Sequence, residues 1–265
     1  MLMETARVAL LIPAVAVCCL GSAALAQEES VNPGINEHFE DPDVETWIAR
    51  FEREERDVYA RREEIAGVLE LRPGMDVADI GAGTGFFSVL FARQVGPLGT
   101  VYAVDISDSF VKETVDRAER LGLENVEGVV NPVDSIQLAD GSIDVAFVCN
   151  TYHHFEYPFK MLESIRSALR PDGRLVIVDY ERVRGVTREF IFDMVRAGKG
   201  TFTDEIRDAG FDLVEEVPFS DEVYILEFRQ RRPVEEAAAG RQDGKGESDT
   251  GHAHVESEGR SAEPD

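Results

Sequence analysis

The chain has 265 residues and a formal net charge of −25 at pH 7. This length is sufficient for one full α/β domain with extensions. A surface of such strong negative charge repels nucleic acid and anionic lipid, so neither is expected as a binding partner.

The first 26 residues have the pattern of a secretory signal peptide. Arg7 precedes an apolar run over residues 8–20, and the small residues of an Ala-Leu-Ala motif then form a cleavage site. The sequence therefore predicts a signal peptide over residues 1–26 and a periplasmic or secreted protein. The same stretch is nearly long enough to remain in a membrane as an uncleaved anchor. Two of the three cysteines lie in it, so the mature chain keeps only Cys149, which is interpreted as a buried thiol.

Two segments follow before the first strand. Residues 27–41 are polar and are interpreted as a linker. In residues 42–72, apolar side chains recur at helical spacing between dense Arg and Glu, which predicts one or two amphipathic helices. The apolar positions are Ile48, Phe51, Val58, Ile65 and Leu69.

The central motif of the chain is the run VADIGAGTGFFS over residues 77–88. It begins in a short apolar run that predicts a buried strand, and residues 86–95 predict a helix. Between them, Gly81, Gly83 and Gly85 let the backbone turn tightly and approach a ligand closely. A strand, a glycine loop and a helix N-terminus together suit a nucleotide-like ligand.

Nearby residues narrow the choice of ligand. A dinucleotide fingerprint would have its third glycine where this chain has Phe86, which weakens an NAD-type oxidoreductase as the interpretation. Asp105 ends the next apolar run, and a carboxylate at that point accepts hydrogen bonds from ribose hydroxyls. Asp79, two residues before the loop, suits a ligand that carries a cation, such as a sulfonium with an α-amino group.

Apolar runs and helical stretches continue to alternate after Asp105. Helices are predicted over residues 108–121 and 161–169 and in a stretch ending at Gly210, and strands over 126–130, 143–149, 174–179, 211–219 and 221–228. The last two strands are predicted to form a hairpin. Strands that alternate with helices imply a parallel sheet with both faces covered.

Polar residues follow the strand at 143–149, in the run NTYHHF. In an open parallel sheet the ligand lies outside the carboxyl ends of the strands, so this run is expected to face it. Histidine can accept a proton near neutral pH, which makes His154 the first candidate for a general base and His153 the second. Asn150 and Tyr152 can position polar groups. Alternatively, an imidazole caps the following helix or binds backbone. A metal site is not expected, because adjacent histidines point in different directions.

A basic segment lies further along, between residues 181 and 199, with five bases and three acids. We expect it to lie over the ligand pocket and to bind an anionic substrate group through Arg182, Arg184 or Arg196. The alternative is local ion pairing on a helix surface. Beyond it, residues 233–265 contain nine acids and three bases and predict a disordered acidic tail.

Four segments together resemble the class I S-adenosylmethionine-dependent methyltransferases. They are the run DIGAGTG, the acidic Asp105, SIDVAFVCNTYHHF and LRPDGRLVIVDY. The resemblance spans about residues 73–228 and implies an α/β, Rossmann-like fold: a seven-stranded, mostly parallel sheet with an antiparallel last strand and helices on both faces. It implies a methyltransferase domain over residues 73–232 and a helical cap over 42–72 that covers the cofactor, unless that cap is a solvated helix.

The resemblance also implies S-adenosylmethionine as cofactor and a small-molecule acceptor. The cofactor-binding residues that it implies are Asp79, Gly81, Ala82, Gly83, Thr84, Gly85, Asp105, Ile106, Val133, Asp134 and Asn150. The catalytic candidates are His154, His153 and Tyr152. Export is at odds with a cofactor made in the cytosol, so a binding protein without turnover stays open as an alternative, beside the NAD-type oxidoreductase.

Overall fold

A computed structural model describes residues 27–231 of the chain. The predicted signal peptide (1–26) and acidic tail (233–265) lie outside the described residues. Within 27–231, none of the helices combines the length and apolar character needed to cross a membrane.

The described residues form one seven-stranded sheet. The strands are β1 (Val77–Ile80), β2 (Val101–Asp105), β3 (Val126–Val130), β4 (Ile143–Cys149), β5 (Leu169–Tyr180), β6 (Phe211–Val217) and β7 (Val223–Gln230). Their order is β3-β2-β1-β4-β5-β7-β6, and β7 runs antiparallel to both of its neighbours while the other pairs are parallel. This confirms the predicted sheet, including its antiparallel last strand.

Helices cover the sheet. They are α1 (Glu37–Glu40), α2 (Val44–Phe51), α3 (Asp57–Ala60), α4 (Arg62–Val68), α5 (Phe86–Val95), α6 (Asp108–Arg120), α7 (Pro158–Ala168), α8 (Glu189–Met194) and α9 (Lys199–Asp208). Helix α5 contacts α4 and α6, whereas α7 contacts α9, so the helices form two groups around the sheet. Strand β1 is buried at all four positions, which are apolar except for Asp79.

The segment over residues 27–41 differs from the expected linker. It contains α1, and its polar groups bind the loop that follows β4. The Val31 N–H donates to the Glu156 carbonyl at 2.9 Å, and Asn36 Nδ2 donates to the His154 carbonyl at 3.1 Å. Part of this polar segment is thus held against that loop by hydrogen bonds, while most of its acidic residues are exposed.

Two further boundaries differ from the prediction. Residues 42–72 form three short helices, because the chain breaks between α2 and α3, where Arg56 Nη1 donates to the Phe51 carbonyl at 2.8 Å. Strand β5 begins at Leu169, five residues before its predicted start at Arg174. Its early part is held by Arg170, which pairs with Asp76 at 2.7 Å and with Asp144 at 2.6 Å.

Candidate functional site

The glycine loop between β1 and α5 has a backbone that requires glycine. Gly81 has φ +73° and Gly85 has φ +75°, in the left-handed region that side chains disfavour. A Cβ at Gly81 would also overlap the Thr151 side chain, and one at Gly85 would overlap the Thr114 side chain. The loop is therefore packed tightly at its base, and its open side faces the cavity.

Asp105, at the end of β2, is joined to this loop. Its carboxylate accepts a hydrogen bond from the Gly83 N–H at 2.9 Å and another from the Ser107 N–H at 3.0 Å. Only 6% of the residue is exposed, and this burial raises the pKa of Asp105 to about 6.

Asp79, near the end of β1, is a second buried carboxylate in the same cavity. It accepts a hydrogen bond from Ser88 Oγ at 2.6 Å and is 2% exposed. Burial raises the pKa of Asp79 to about 7, and the charge of Asp105 adds to the rise. Neither carboxylate has a cationic partner among the described residues, so the pair favours a cationic ligand.

These residues line a cavity of about 570 Å³, a size typical of small-ligand pockets. The predicted cofactor-binding residues that line it are Asp79, Gly81, Ala82, Gly83, Asp105, Ile106, Val133 and Asn150. Three others do not. The base of the loop buries Thr84 and Gly85, and Asp134 instead meets Lys160 Nζ at 3.4 Å with 39% of its side chain exposed. Asn131, which the sequence analysis missed, lines the cavity in place of Asp134.

An aromatic wall encloses the cavity on the side of the N-terminal helices. It is formed by Phe39, Trp47 and Phe51, with ring centroids 4.7 Å apart for Phe39–Trp47 and 5.0 Å apart for Trp47–Phe51. Phe39 lies in α1, within the segment expected to be a linker. These three aromatic residues are spaced by eight and by four positions in the sequence. Such spacing indicates that the short helices share one apolar face.

His153 lies in the short 3₁₀ helix after β4 and lines the cavity. Its Nδ1 lies 2.7 Å from Asp179 Oδ1, and the two residues are 1% and 0% exposed. Asp179 also accepts hydrogen bonds from the backbone N–H groups of His153 and Tyr180. Since the carboxylate accepts from all these groups, we assign the proton to Nδ1, which leaves Nε2 with a free lone pair. Nε2 is buried and has no partner among the described residues.

The other two catalytic candidates have different environments. His154 lines the cavity, but burial and then the neighbouring His153 lower the pKa of His154 to about 3, which makes it a weak base at neutral pH. Tyr152 does not line the cavity. Its side chain is fully buried against Phe202, and its hydroxyl donates to Glu205 Oε2 at 3.0 Å. Tyr152 therefore lies in the core, and of the two histidines only His153 has a carboxylate partner for its ring among the described residues.

The basic segment reaches the cavity through residues other than those expected. Arg196 forms two hydrogen bonds with Glu205, at 2.7 and 2.6 Å. Arg182 donates to backbone carbonyls of α8 and of the residue after it, and Arg184 lies over the Phe192 ring. None of the three lines the cavity, whereas Arg188, Phe190 and Met194 do. Within 27–231, no group of three or more potential metal ligands is found.

The chain is similar to proteins of known family. A family model described as a methyltransferase domain matches residues 71–216. An uncharacterised 37.1 kDa protein in transposon TN4556 of Streptomyces fradiae is 33% identical over 166 residues, which cover 57% of this chain and 48% of that protein. The ubiquinone/menaquinone biosynthesis C-methyltransferase UbiE of Hydrogenovibrio crunogenus is 30% identical over 121 residues, 45% of this chain and 46% of the relative. The chain thus spans about half the length of the curated relatives it matches.

Solved structures share the fold. A SAM dependent methyltransferase from Aquifex aeolicus superposes with a TM-score of 0.63 at 24% identity, covering 71% of this chain and 98% of that one. The [4+2]-cyclase SpnF superposes with a TM-score of 0.58 at 16% identity, covering 65% of this chain and 81% of that one. Because a protein named as a cyclase shares the fold, the fold alone does not fix the reaction.

Proposed function

Since the chain belongs to the methyltransferase domain family and has the class I sheet, we propose that it is an S-adenosylmethionine-dependent methyltransferase acting on a small-molecule acceptor. The observation that carries this proposal is the pair of buried carboxylates, Asp79 and Asp105, beside a glycine loop that opens into an aromatic-walled cavity. A cationic nucleoside supplies the positive charge that the two carboxylates lack, and the open side of the glycine loop faces the cavity that would hold it.

The residues that would hold the cofactor follow from these contacts. Asp105 keeps lone pairs for ribose hydroxyls beyond those used by the Gly83 and Ser107 N–H groups. Asp79 would face the positive part of the amino-acid end. When bound, the cofactor supplies a methyl group on a positively charged sulfur, which is already a good leaving group. The protein then has to align the acceptor and remove its proton.

His153 is the residue placed to take that proton. His153 lines the cavity, its buried Nε2 has no hydrogen-bond partner among the described residues, and Asp179 fixes the ring through Nδ1. The same carboxylate would stabilise the imidazolium that forms when an acceptor hydroxyl or N–H transfers its proton. The aromatic wall excludes water, which would otherwise compete with the acceptor as the group next to Nε2.

A small acceptor is consistent with the cavity and with the charge of the chain. A cavity of about 570 Å³ leaves limited space beside a nucleoside. The net charge of −25 disfavours nucleic acid as the acceptor. Similarity to a protein named as a C-methyltransferase of ubiquinone/menaquinone biosynthesis supports a small acceptor as well.

Calorimetric titration with S-adenosylmethionine, S-adenosylhomocysteine and NAD, paired with a methyl-release assay, tests the proposal. We expect both adenosyl ligands to bind and NAD not to bind. Binding of NAD alone would support the oxidoreductase. Tight binding of both adenosyl ligands, with no methyl release to any acceptor in a cell extract, would support a binding protein without turnover.

We also propose that residues 1–26 direct export to the periplasm or beyond. The support is the sequence pattern of a basic residue, an apolar run and a small-residue cleavage site. Mass spectrometry of the protein from a bacterial periplasmic fraction is expected to find a mature chain that starts at Gln27. An intact N-terminus in the membrane fraction would instead indicate an anchor.

A further inference from the structure

Arg56 is a guanidinium in the cavity that has no acidic partner. It follows α2, lines the cavity and is half-buried. Its Nη1 donates to the Phe51 carbonyl at 2.8 Å, and its Nη2 donates to the Tyr180 hydroxyl at 3.3 Å. Within residues 27–231, no carboxylate lies within ion-pair distance of it.

Three other half-buried arginines are neutralised by glutamates, whereas Arg182, which does not line the cavity, has backbone carbonyls as partners. Arg117 pairs with Glu52 at 2.5 Å, Arg174 with Glu227 at 3.1 Å, and Arg196 with Glu205 at 2.6 Å. The chain has 52 acidic residues against 27 basic ones, so an acidic partner is readily available in general. A shielded cation without one is unfavourable unless a ligand supplies the anion.

Tyr180 extends the group of donors. Its hydroxyl oxygen accepts from Arg56 Nη2 and from Asn150 Nδ2, the latter at 3.0 Å. With both lone pairs used, the hydroxyl hydrogen is left to donate, and Tyr180 lines the cavity. Asn150 adopts φ +50°, a left-handed conformation that asparagine tolerates better than most residues, directly after the end of β4.

We propose that Arg56 and Tyr180 form a carboxylate-binding subsite, and that the carboxylate belongs to the methyl acceptor. The inference rests on the proposed function and specifies its acceptor class. A carboxylate is planar and matches the fork of a guanidinium, which makes it the anion that best fits these donors. The aromatic wall would hold an apolar body attached to it.

The sheet order places this subsite on the opposite side of β1 from the residue expected to bind the ribose, Asp105. Asn150 and Tyr180 end β4 and β5, which lie on one side of β1. Asp105 ends β2, on the other side of β1. In such sheets a ligand spans the crevice above the point where the strand order reverses, so the Asp105 side takes the nucleoside and the Arg56 side takes what lies beyond it. The cofactor also has a carboxylate, so the experiment must distinguish the two sources.

The test uses benzoate and the neutral benzamide as probes of the protein loaded with S-adenosylhomocysteine, measured by calorimetry. We expect benzoate to bind about tenfold or more tightly than benzamide, since a charged hydrogen-bonded pair is worth about 1.4 kcal/mol or more. Arg56→Gln should abolish this preference, and Tyr180→Phe should reduce it. Arg53→Gln, at an exposed position of the same cavity, is the matched control and should leave the preference intact.

A second arm compares S-adenosylhomocysteine with its decarboxylated analogue. If the subsite serves the acceptor, Arg56→Gln leaves the affinity for S-adenosylhomocysteine within about twofold of wild type. A loss equal to that caused by removing the carboxylate from the ligand would assign Arg56 to the cofactor and overturn the proposal. Equal affinity of wild type for benzoate and benzamide, or binding of neither at about 10 mM, would also overturn it. Both arms are binding measurements, so they stay informative if methyl transfer itself is not observed.

Discussion

Asp179 and His153 form a buried pair, with 2.7 Å between Oδ1 and Nδ1 and at most 1% of either side chain exposed. Because Asp179 also accepts two backbone hydrogen bonds, its position is fixed by β5 and by the 3₁₀ helix together. The imidazole is thereby oriented by the fold, and its Nε2 is buried beside the cavity with no hydrogen-bond partner among the described residues.

The pair predicts a large kinetic effect of His153. Replacing His153 with Gln is expected to lower kcat for an acceptor that must lose a proton by about 10²–10⁴-fold, because a positioned base contributes about that much. The KM for S-adenosylmethionine should stay nearly unchanged. His154→Gln is the matched control and should change kcat little, because the pKa of His154, about 3, already excludes it as an effective base.

The Asp179→Asn variant tests whether Asp179 positions the His153 ring for proton uptake or only packs against it. An amide of the same shape can offer its N–H to Nδ1, which would move the imidazole proton to Nε2 and block proton uptake. We expect kcat to fall while the free energy of unfolding changes less than it does for Asp179→Ala. A D179N variant with wild-type kcat and an unchanged pH–rate profile would show that the pair serves structure alone.

The raised pKa of Asp79 predicts that the stability of the fold and its affinity for S-adenosylmethionine both depend on pH. Its pKa of about 7 in the ligand-free fold lies above its unfolded value of about 4, so the fold loses stability as pH rises through that range. A cationic ligand favours the ionised carboxyl, so affinity for S-adenosylmethionine should rise with pH between about 5 and 8, with proton release on binding. Titration in buffers of different ionisation enthalpy measures the released protons.

The Asp79→Asn variant also tests whether Asp79 is a buried charge that binds the cofactor. It should raise the stability of the ligand-free fold and lower the affinity for S-adenosylmethionine. At pH 8 its ligand-free melting temperature should exceed that of wild type by about 3 °C or more, because a buried unpaired charge is removed. Its affinity for S-adenosylmethionine should fall about tenfold or more. Loss of both stability and affinity would instead mean that Asp79 serves mainly as an acceptor for Ser88 in the core.

Adding a side chain at a glycine should reduce stability more where the new Cβ overlaps a neighbour than where it meets open space. Gly85→Ala is expected to lower the free energy of unfolding by about 2–4 kcal/mol, from the positive φ and from overlap with Thr114. Gly141 also has a positive φ, +60°, but no atom lies within 4 Å of its Cβ position. Gly141→Ala should therefore cost only about 1 kcal/mol. Urea unfolding of both variants measures the two losses of unfolding free energy, and their difference is the contribution of the overlap with Thr114. Equal losses for the two variants would contradict that contribution.

Arg196 is expected to affect stability and not the acceptor. Replacing it with Ala leaves the largely buried Glu205 carboxylate with the Tyr152 hydroxyl but without its cationic partner, which should lower the free energy of unfolding by about 2–3 kcal/mol. The acceptor KM should not change, because Arg196 does not line the cavity. A raised KM with unchanged stability would return Arg196 to the anion-binding role that the sequence first indicated.

The strands of this fold could be predicted from sequence because most are short runs rich in β-branched and apolar residues between turn residues. The bounds of β3 and β4 match the predicted ranges, although β3 is largely exposed and β4 is largely buried. The start of β5 could not be predicted, because it depends on Arg170, whose partners Asp76 and Asp144 are remote in sequence.

The site was less predictable than the sheet, for physical reasons. The glycines and Asp105 carry local signals, because backbone conformation and strand ends can be inferred from neighbouring residues. Whether an arginine is neutralised depends on which glutamate the fold brings to it, so Arg196 and Arg56 look alike in the sequence. The same limit applies to His153 and His154, which differ in whether a remote carboxylate reaches the ring.

The amide of Asn36 holds the His154 carbonyl from a segment that contributes no strand to the sheet. A chain shortened past Asn36 would keep every strand, and Asp179 would still hold His153, but the His154 carbonyl would lose its donor. Trimming the N-terminal side of the domain could therefore lower activity while the sheet stays folded.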